Sequence, residues 1–469
     1  MKICIIAEGS YPYVMGGVST WIQMLISSMP EHEFIIYAIA AEEKSRGAFK
    51  YKFPQNVIGC FESFLDEATD IKGVWGKKYK LDKRSKDAIK DLISGQKTDW
   101  DAIFGMVNSK VYDNVINFLM SRNFFDIVEE ASEEYYSQIS FTELYWTIRA
   151  MLLPLLQLID KDLPKADLYH CVSTGYAGII GSLAKYLYGK PLLLTEHGIY
   201  SREREEEIIK ADWLKGYFKE IWIEFFYSLS QKAYDSSDLV ISLYSRNKEI
   251  QIELGCDPDK ISVIPNGVDF NGNKIDTGTG NIDGYVNIGA LIRIVPIKDI
   301  KTMIHGFAMA KAELPDIRLY LMGPMDEDND YYLECVQIIE SMDVKDIIFT
   351  GMINPKDYMN NIDIIILTSI SEAQPFAILE GFGYMKPAIT TDVGSCRELI
   401  EGINDSYGDA GIVVPVMDYE KIGNAIMKLC QDTKLRMQMG QNGYRRAIEY
   451  YSIEKFIENY RKIYAELEY

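Results

Sequence analysis

The chain has 469 residues, of which 25% are charged and 48% are hydrophobic, and its formal net charge is -20 at pH 7. This length favours two or three domains with substantial cores, and the composition excludes a largely disordered chain. The acidic balance, with no cluster of lysine and arginine, disfavours nucleic acid and anionic lipid as partners.

The first predicted element is a buried strand over residues 2–7. A helix begins after Gly16 and Gly17, and a second strand covers residues 34–40. This succession of strand, glycine loop, helix and strand predicts one βαβ unit of a parallel sheet. The apolar start is too short for a signal peptide or a membrane span, and the seven cysteines contain no C-x-x-C pair. We therefore expect a cytoplasmic protein with reduced thiols.

Residues 45–165 are charged, aromatic and mostly helical in pattern, and we interpret them as a helical insertion. Strand-like runs then resume, among them DLYHCVST, PLLLTEHG and DLVISLYS. Between the last two runs, an aromatic and aliphatic stripe recurs at helical spacing; its members are Leu214, Phe218, Ile221, Trp222, Phe225 and Leu229. The stripe predicts either a helix that faces a membrane or a partner, or a helix packed on the sheet, and we favour the packed helix.

A segment rich in Gly, Asn, Asp and Thr, residues 271–284, has no periodicity and is predicted to be a linker. After it, helical stretches alternate with a second series of strand-like runs, from YVNIGAL to GIVVPV. We therefore predict an α/β protein with two Rossmann-like doubly wound domains that face a central cleft, where strand carboxyl ends bind ligands. The predicted boundaries are 1–273 for the first domain with its insertion, 274–450 for the second domain, and 451–469 for a terminal helix that returns to the first.

Two cations follow the strand predicted at residues 285–291, at the entrance to a helix. Arg293 and Lys298 in such a loop suit a ligand that carries two phosphates. Alternatively, they are surface charges in exposed salt bridges, which contribute roughly 0–1 kcal/mol. The loop alone does not decide between these interpretations.

The stretch SEAQPFAILE, residues 371–380, ends in the one charge of an otherwise apolar helix predicted over 376–385. A buried carboxylate is costly unless something pairs with it. Pro375 favours a helix start, and the free amides of a helix start attract anions, so we infer a phosphate site there. Glu380 would then accept from both hydroxyls of an attached ribose, and Glu372 would face the group beyond the phosphates. The alternative is that Glu380 pairs with a buried arginine.

Gly17, which opens the first helix, permits a close approach of the backbone to a phosphate. Gly9, Gly16 and Gly17 do not fit the G-x-G-x-x-G pattern of dinucleotide sites. Glu42 or Glu43, after the second strand, nevertheless resembles the acidic residue of such sites. An NAD-binding interpretation therefore stays open.

His170 and His197 each end a strand-like run, so both are expected to point toward the ligand. His197, which precedes Gly198, is the better candidate for a hydrogen bond to a sugar or phosphate oxygen, whereas His170 fits a structural role. The acidic run DEDND, residues 326–330, fits a helix-capping loop better than a metal site, because Tyr331 stands where a calcium loop needs glycine. We therefore predict no metal ligands.

Four features together resemble the retaining glycosyltransferases of family 4 with the GT-B architecture, in the branch that acts in Pel exopolysaccharide synthesis. They are GGV near the N-terminus, TEHGIY, the R-x-x-x-x-K pair and the E-x7-E pair. The stretches that carry the likeness are LLLTEHGIYSRERE, VPIKDIKT, GPMDEDNDYY, SISEAQPFAILE and TTDVGSCREL. The resemblance covers nearly the full length of the chain.

The resemblance implies a role for each candidate residue. Arg293 and Lys298 would hold the donor diphosphate, and Glu380 would hold the ribose. The implied catalytic residues are Glu372, His197, Lys298 and Arg293, and the implied nucleotide-sugar contacts are Gly17, Arg293, Lys298, Glu380, Ala373 and Phe376. The implied donor is UDP-glucose, with no metal and no separate cofactor.

The same resemblance implies a growing Pel-like exopolysaccharide as acceptor. It also implies a membrane-bound export complex as partner, which would hold the cytoplasmic protein near the inner face of the membrane, and no nucleic acid. Three alternatives stay open: the same family with another nucleotide sugar or acceptor, an NAD-dependent oxidoreductase, and a non-catalytic binding protein.

Overall fold

The computed structural model describes residues 1–67, 73–270, 284–403 and 405–468. Apart from its last residue, the linker predicted at 271–284 lies outside the described residues. The chain divides into two compact units. Unit 1 comprises Met1–Ser242, Asn247–Val263 and Arg461–Tyr469, and unit 2 comprises Leu243–Arg246 and Ile264–Tyr460.

Unit 1 is built on a parallel sheet. Its strands are β1 (Lys2–Glu8), β2 (Glu33–Ala40), β3 (Val57–Phe64), β4 (Leu168–Cys171), β5 (Leu192–Glu196), β6 (Leu239–Ser242) and β7 (Ile261–Val263). They pair in the order β3-β2-β1-β4-β5-β6-β7. In register, Ile5 of β1 lies between Ile36 and His170. The central strands are continuous apolar runs because helices cover both faces of such a sheet.

The helices of residues 1–263 are α1 (Gly17–Ser27), α2 (Lys83–Ile93), α3 (Trp100–Asn108), α4 (Val115–Leu119), α5 (Arg122–Tyr135), α6 (Phe141–Ile159), α7 (Tyr176–Tyr188), α8 (Tyr200–Lys210), α9 (Gly216–Ser236) and α10 (Ser245–Glu253). Helices α2 to α6 form the expected helical insertion, although the segment 45–165 also contains the edge strand β3. Four of these helices start at a polar cap, Asp82, Asp99, Asn114 or Ser121, whose side chain accepts from the N–H three residues on.

Unit 2 is built on a second parallel sheet. Its strands are β8 (Val286–Leu291), β9 (Ile317–Met322), β10 (Ile347–Gly351), β11 (Ile364–Leu367), β12 (Ala388–Thr391) and β13 (Gly411–Val414). They pair in the order β10-β9-β8-β11-β12-β13, so the order reverses between β8 and β11. Ligands of open α/β sheets bind at such a reversal, beyond the carboxyl ends of the strands. The prediction of two Rossmann-like α/β domains is confirmed.

The helices of residues 264–468 are α11 (Ile300–Glu313), α12 (Asn329–Ser341), α13 (Pro355–Tyr358), α14 (Phe376–Phe382), α15 (Cys396–Glu401), α16 (Tyr419–Gln431), α17 (Thr433–Tyr450) and α18 (Ile453–Leu467). Helix α14 ends three residues before the predicted end at Met385. The chain turns there, and Met385 has a left-handed φ of 57° that a helix does not accommodate.

Helix α9 carries the aromatic stripe seen in the sequence. Phe218, Ile221, Phe225 and Leu229 on this stripe are buried in the core of unit 1. The interpretation as a helix packed within the domain is confirmed. Of the helices that the structure describes, none is both long and apolar enough to cross a lipid bilayer.

Candidate functional site

The loop after β8 carries the two cations predicted to bind phosphate. It is tied to the end of the neighbouring strand β9, where the N–H of Ile292 donates to the carbonyl of Met322 at 2.9 Å. Gly323 permits this close approach, because a Cβ atom there would lie 2.1 Å from the carbonyl oxygen of Ile292. The loop ends at Asp299, whose carboxylate accepts from the N–H of Thr302 and so caps α11.

Lys298 and Glu372, which were predicted from separate motifs, form an ion pair. Their side chains are only 16% and 14% exposed. The hydroxyl of Ser369 donates to the same carboxylate oxygen at 2.6 Å. Solvent screens such a sheltered pair less than it screens an exposed one. The structure therefore brings the basic loop and the E-x7-E segment together.

Thr368 fixes the main chain around Lys298. Its buried Oγ1 lies within hydrogen-bond distance of the carbonyl oxygens of Lys298, at 3.0 Å, and Asp299, at 3.1 Å. In the next strand, the hydroxyl of Thr391 donates to the carbonyl of Ser369 at 2.6 Å. Sequence reasoning missed these hydroxyls. The sequence did contain a signal for them, because Thr368 and Ser369 directly follow an apolar strand in IILTS. Hydroxyls buried at a strand end need a hydrogen-bond partner.

Arg293 lies in the same loop but pairs elsewhere. It forms an ion pair of 2.8 Å with Glu327, and both side chains are about half exposed. Asp328, next to Glu327, accepts from the N–H of Tyr331 and caps α12, so the helix-capping interpretation of DEDND is confirmed. Within the described ranges, no group of three or more His, Cys, Asp and Glu side chains is placed to hold a metal ion.

A glycine turn holds the loop that contains Glu372 and the predicted contact residue Ala373. Gly394 has a left-handed φ of 50°, and a Cβ atom there would lie 2.1 Å from the carbonyl oxygen of Glu372 and 2.3 Å from that of Ala373. The following N–H, of Ser395, donates to the carbonyl of Ala373 at 2.8 Å. The loop before α14 therefore has its shape set by backbone contact with this turn.

Glu380 lies on α14, which begins at the predicted contact residue Phe376. Its neighbours Ile378 and Leu379 are buried, and Glu380 itself is half-buried. Burial raises the pKa of its carboxyl to about 7. No residue of the described chain forms a hydrogen bond or an ion pair with this carboxylate. It is therefore able to accept hydrogen bonds from the hydroxyls of a ligand.

Unit 2 does contain a buried arginine, but it serves another carboxylate. The side chain of Arg446 is 1% exposed and forms an ion pair of 2.6 Å with Asp405. It also donates to the carbonyls of Leu399 and Ile400, at 2.9 Å and 2.7 Å. These contacts occupy the guanidinium, so the alternative that a buried arginine neutralises Glu380 has no support in the described chain.

The two candidate residues of unit 1 are linked by a tryptophan. Gly17 begins α1, and Trp21, one turn later, packs edge-on against the ring of His197 with centroids 4.7 Å apart. Burial lowers the pKa of His197 to about 4, so the imidazole is neutral at pH 7. Its Nε2 is buried and has no hydrogen-bond partner among the residues described. The ring therefore has one buried nitrogen whose hydrogen-bonding capacity the described residues leave unused.

His170 is placed differently. Its two ring nitrogens lie 2.8 Å from the hydroxyls of Tyr464 and Thr195, in the core of unit 1. Both nitrogens are thus engaged, and the structural role predicted for His170 is confirmed.

Two carboxylates at strand ends of unit 1, a half-buried one and a buried one, escaped the sequence analysis as candidates. Glu8 ends β1 and accepts from the hydroxyl of Tyr200 at 2.8 Å. Glu196 ends β5 and accepts from Tyr234 and Gln251, at 2.6 Å and 2.9 Å. Burial raises the pKa of both carboxyls. The signal was a glutamate directly after an apolar strand, in AEGS and TEHG.

Two family models match the chain. One, described as "Domain of unknown function (DUF3492)", matches residues 1–259. The other, described as "Glycosyl transferases group 1", matches residues 280–446. The second match contains Arg293, Lys298, Glu372 and Glu380.

Two curated relatives are similar over most of the chain. The UDP-Gal:alpha-D-GlcNAc-diphosphoundecaprenol alpha-1,3-galactosyltransferase of Escherichia coli is 25% identical over 67% of this chain and 79% of its own length. The capsular polysaccharide biosynthesis glycosyltransferase CapM of Staphylococcus aureus is 24% identical over 67% of this chain and 80% of its own length.

Solved structures share the fold. HepE of Anabaena, in complex with UDP, covers 99% of this chain and 100% of its own with a TM-score of 0.64 and 16% identity. Sucrose-phosphate synthase of Thermosynechococcus elongatus covers 99% of this chain and 98% of its own with a TM-score of 0.62 and 13% identity. The fold of this chain is therefore GT-B.

Proposed function

We propose that this chain, which belongs to the DUF3492 family and carries a group 1 glycosyl transferase domain, transfers a hexosyl group from a UDP-sugar to a growing exopolysaccharide. The proposed donor is UDP-glucose. The proposed transfer retains the anomeric configuration and needs no metal, as in family 4. The resemblance to the branch that acts in Pel exopolysaccharide synthesis makes a Pel-like polymer the proposed acceptor. The proposed location of this chain is the cytoplasm, beside a membrane-bound export complex.

The observation that carries the proposal is the environment of Glu380. A half-buried carboxylate with a pKa raised to about 7 and no partner in the described part of unit 2 costs stability unless a ligand uses it. The two hydroxyls of a ribose match the two oxygens of a carboxylate. Lys298 and Arg293, in the loop after β8, supply the cations that the attached diphosphate requires.

The proposed chemistry is electrostatic. As the bond to the anomeric carbon breaks, negative charge develops on the leaving diphosphate. Lys298 and Arg293 would stabilise this charge, and preorganised charges in a sheltered site are an effective means of lowering such a barrier. The exposed pair of Arg293 with Glu327 contributes about 0–1 kcal/mol, so a phosphate can replace Glu327 at small cost.

Glu372 is proposed to have two roles. Its ion pair with Lys298 orients the ammonium group, and its second oxygen is able to accept from a sugar hydroxyl. Ala373 and Phe376, in the loop and at the start of α14, are proposed contacts of the nucleotide sugar. From unit 1, Gly17 is proposed to contact the phosphate region, and the neutral ring of His197 the transferred sugar.

Two findings on other proteins support the choice of donor and acceptor. HepE has been solved with UDP and with UDP-glucose. The names of the similar proteins from Escherichia coli and Staphylococcus aureus describe transfer to a lipid-linked sugar and capsular polysaccharide synthesis.

A first experiment identifies the nucleotide. Titration calorimetry with UDP, GDP, ADP and NAD should give heat of binding with UDP alone. UDP-glucose should then be hydrolysed slowly or transferred, in the presence of EDTA, and proton NMR should show an α-linked product. Binding of NAD alone would favour the oxidoreductase alternative, and turnover that requires added metal would contradict metal independence.

A second experiment tests the residues. Lys298→Ala and Glu380→Ala should each lower turnover of UDP-glucose by about 100-fold or more, while circular dichroism shows a folded chain. Lys301→Ala is the matched control, since Lys301 lies three residues further along the chain and pairs with the exposed Glu334. Near-normal turnover in either site variant would overturn the proposal.

A further inference from the structure

A long groove in unit 1 runs beside α9, next to its buried aromatic stripe, whose member Ile221 also lines the groove. It consists of two hollows of about 560 Å³ and about 400 Å³ that share Gly95, Gln96 and Glu224. The loop between α2 and α3 forms one wall, and the end of α5 with the loop after it forms another. We propose that this groove, called here the α9 groove, binds an uncharged glycan chain.

Most of the residues on the α9 side of the groove form one regular stripe. Its members recur every three or four residues along the helix and are Tyr217, Glu220, Glu224, Tyr227, Gln231 and Asp235. At a rise of about 1.5 Å per residue, the stripe extends for about 27 Å. This length suits a chain of several sugar units rather than one small molecule.

The groove offers flat aromatic faces at its rim. Tyr135, at the end of α5, is 40% exposed, and Tyr217, at the start of α9, is 43% exposed. A tyrosine ring presents an apolar face and a polar tip, which suits a sugar ring with an apolar C–H face and hydroxyl edges. Tyr136 instead forms part of the wall of the groove, because its hydroxyl donates to the carbonyl of Ile93 at 2.8 Å.

Between these rings lie hydrogen-bonding groups without protein partners. Across the part of the chain that the structure describes, the carboxylates of Glu220 and Glu224 form no hydrogen bond or ion pair. Gly95 lies close to Glu224, since a Cβ atom there would be 3.3 Å from the Cβ and Cγ of Glu224. Carboxylates accept from hydroxyls, and the nearby carboxamides of Gln96 and Gln138 both donate and accept, as sugar hydroxyls require.

The charge of the groove selects among glycans. It contains three carboxylates, of Glu220, Glu224 and Asp235, against the ammonium groups of Lys97 and Lys232. The ammonium group of Lys232 is already paired with Asp101 at 3.3 Å. An acidic groove repels a polyanion. Burial raises the pKa of Glu224, and the charge of Glu220 adds to this effect. An uncharged hydroxyl-rich ligand therefore fits the groove better than an anionic one.

All residues that line the α9 groove lie between residues 94 and 254, in unit 1. The side chains proposed to bind the donor belong to unit 2; they are Arg293, Lys298, Glu372 and Glu380. The groove inference therefore goes beyond the proposed transfer and does not depend on the identity of the donor. In a polymerising enzyme, such a site would retain the growing chain between successive additions.

The test uses the full chain and defined probes. Calorimetric titrations with malto-, cello- and chito-hexasaccharides, which are uncharged, are compared with hexaglucosamine and hexagalacturonate. At least one uncharged hexasaccharide should bind. The double variant Tyr135→Ala/Tyr217→Ala and the variant Glu224→Gln should each weaken its binding by at least about tenfold, which is about 1.4 kcal/mol.

The variant Tyr419→Ala, at an equally exposed tyrosine of unit 2, should bind the glycan as the wild type does. Hydrolysis of UDP-glucose in the absence of an acceptor should be unchanged by all three variants. Binding of charged hexasaccharides alone, binding of none, or binding that survives the groove variants would overturn the inference. A wild-type chain that binds the glycan but does not transfer glucose would instead count against the proposed function only.

Discussion

At the residue scale, the half-buried carboxylate of Glu380 makes donor binding sensitive to pH. Burial raises its pKa to about 7, so the group is mostly protonated at pH 6 and mostly ionised at pH 8. Ribose hydroxyls donate to the ionised form, so the affinity for UDP-glucose should rise by about tenfold over this range. Calorimetry checks this, and the ligand must be UDP-glucose rather than UDP. The terminal phosphate of UDP has a pKa of about 6 and would itself titrate over this range.

Glu380→Gln is the control for this prediction, since it keeps the size of the side chain and removes its titration. The variant should bind UDP-glucose weakly and equally at pH 6 and pH 8. A wild-type affinity that stays flat or falls as pH rises would contradict the assignment of Glu380 to the ribose. The assignment would also be contradicted if the affinity of Glu380→Gln for UDP-glucose rose with pH as that of the wild type does.

At the scale of elements, the position of α14 and its preceding loop depends on the turn at Gly394. In Gly394→Ala the new methyl group would collide with the carbonyls of Glu372 and Ala373, so the loop must move. A displacement of about 1 Å in a catalytic loop costs about 100-fold in rate. We expect a loss of that order in kcat/KM for UDP-glucose, together with a lower melting temperature of unit 2.

Gly284→Ala separates collision from backbone strain. Gly284 also belongs to unit 2 and has a left-handed φ of 79°, but no atom lies within 4 Å of the position of its Cβ. This variant should lose about 1–2 kcal/mol of stability and keep its activity. An equal loss of activity in both variants would show that strain in unit 2, and not the position of the loop, limits the reaction.

The elements of unit 2 were largely predictable because each central strand is a short apolar run that ends in glycine or polar residues. Strand β8 was predicted at 285–291 and lies at Val286–Leu291, and β11 lies within the predicted 363–368. The edge strand β3 was not predicted. It lies at the edge of the sheet, and its residues Ile58 and Phe61 are exposed, so it lacks the continuous burial that marks its neighbours.

The contacts of the site were less predictable than its elements. Lys298 and Glu372 are 74 residues apart, and they meet because β8 and β11 are neighbours in the sheet. The sequence predicts the strands but not their spatial order. The sequence also does not predict which carboxylate the buried arginine of unit 2 pairs with. In the structure Arg446 pairs with Asp405 and not with Glu380.

At the scale of the whole molecule, the last residues of the chain are grouped with unit 1, although they follow unit 2 in sequence. The hydroxyl of Tyr464 lies 2.8 Å from Nδ1 of the buried His170. Arg461 forms an exposed ion pair of 2.6 Å with Glu31. The buried contact should matter more than the exposed one, because an unmatched buried polar group costs about 1–3 kcal/mol while exposed pairs contribute about 0–1 kcal/mol.

Removal of residues 461–469 should therefore loosen unit 1 and not unit 2. Hydrogen exchange measured by mass spectrometry should show faster exchange in β1 and β4, whose register places Ile5 beside His170, and unchanged exchange in β8 and β11. Tyr464→Phe should reproduce part of this effect, because it leaves Nδ1 of His170 without its hydroxyl, whereas Arg461→Ala should have little effect. Faster exchange confined to the strands of unit 2 would contradict the grouping, since the buried contact of the terminal residues would then not support the first sheet.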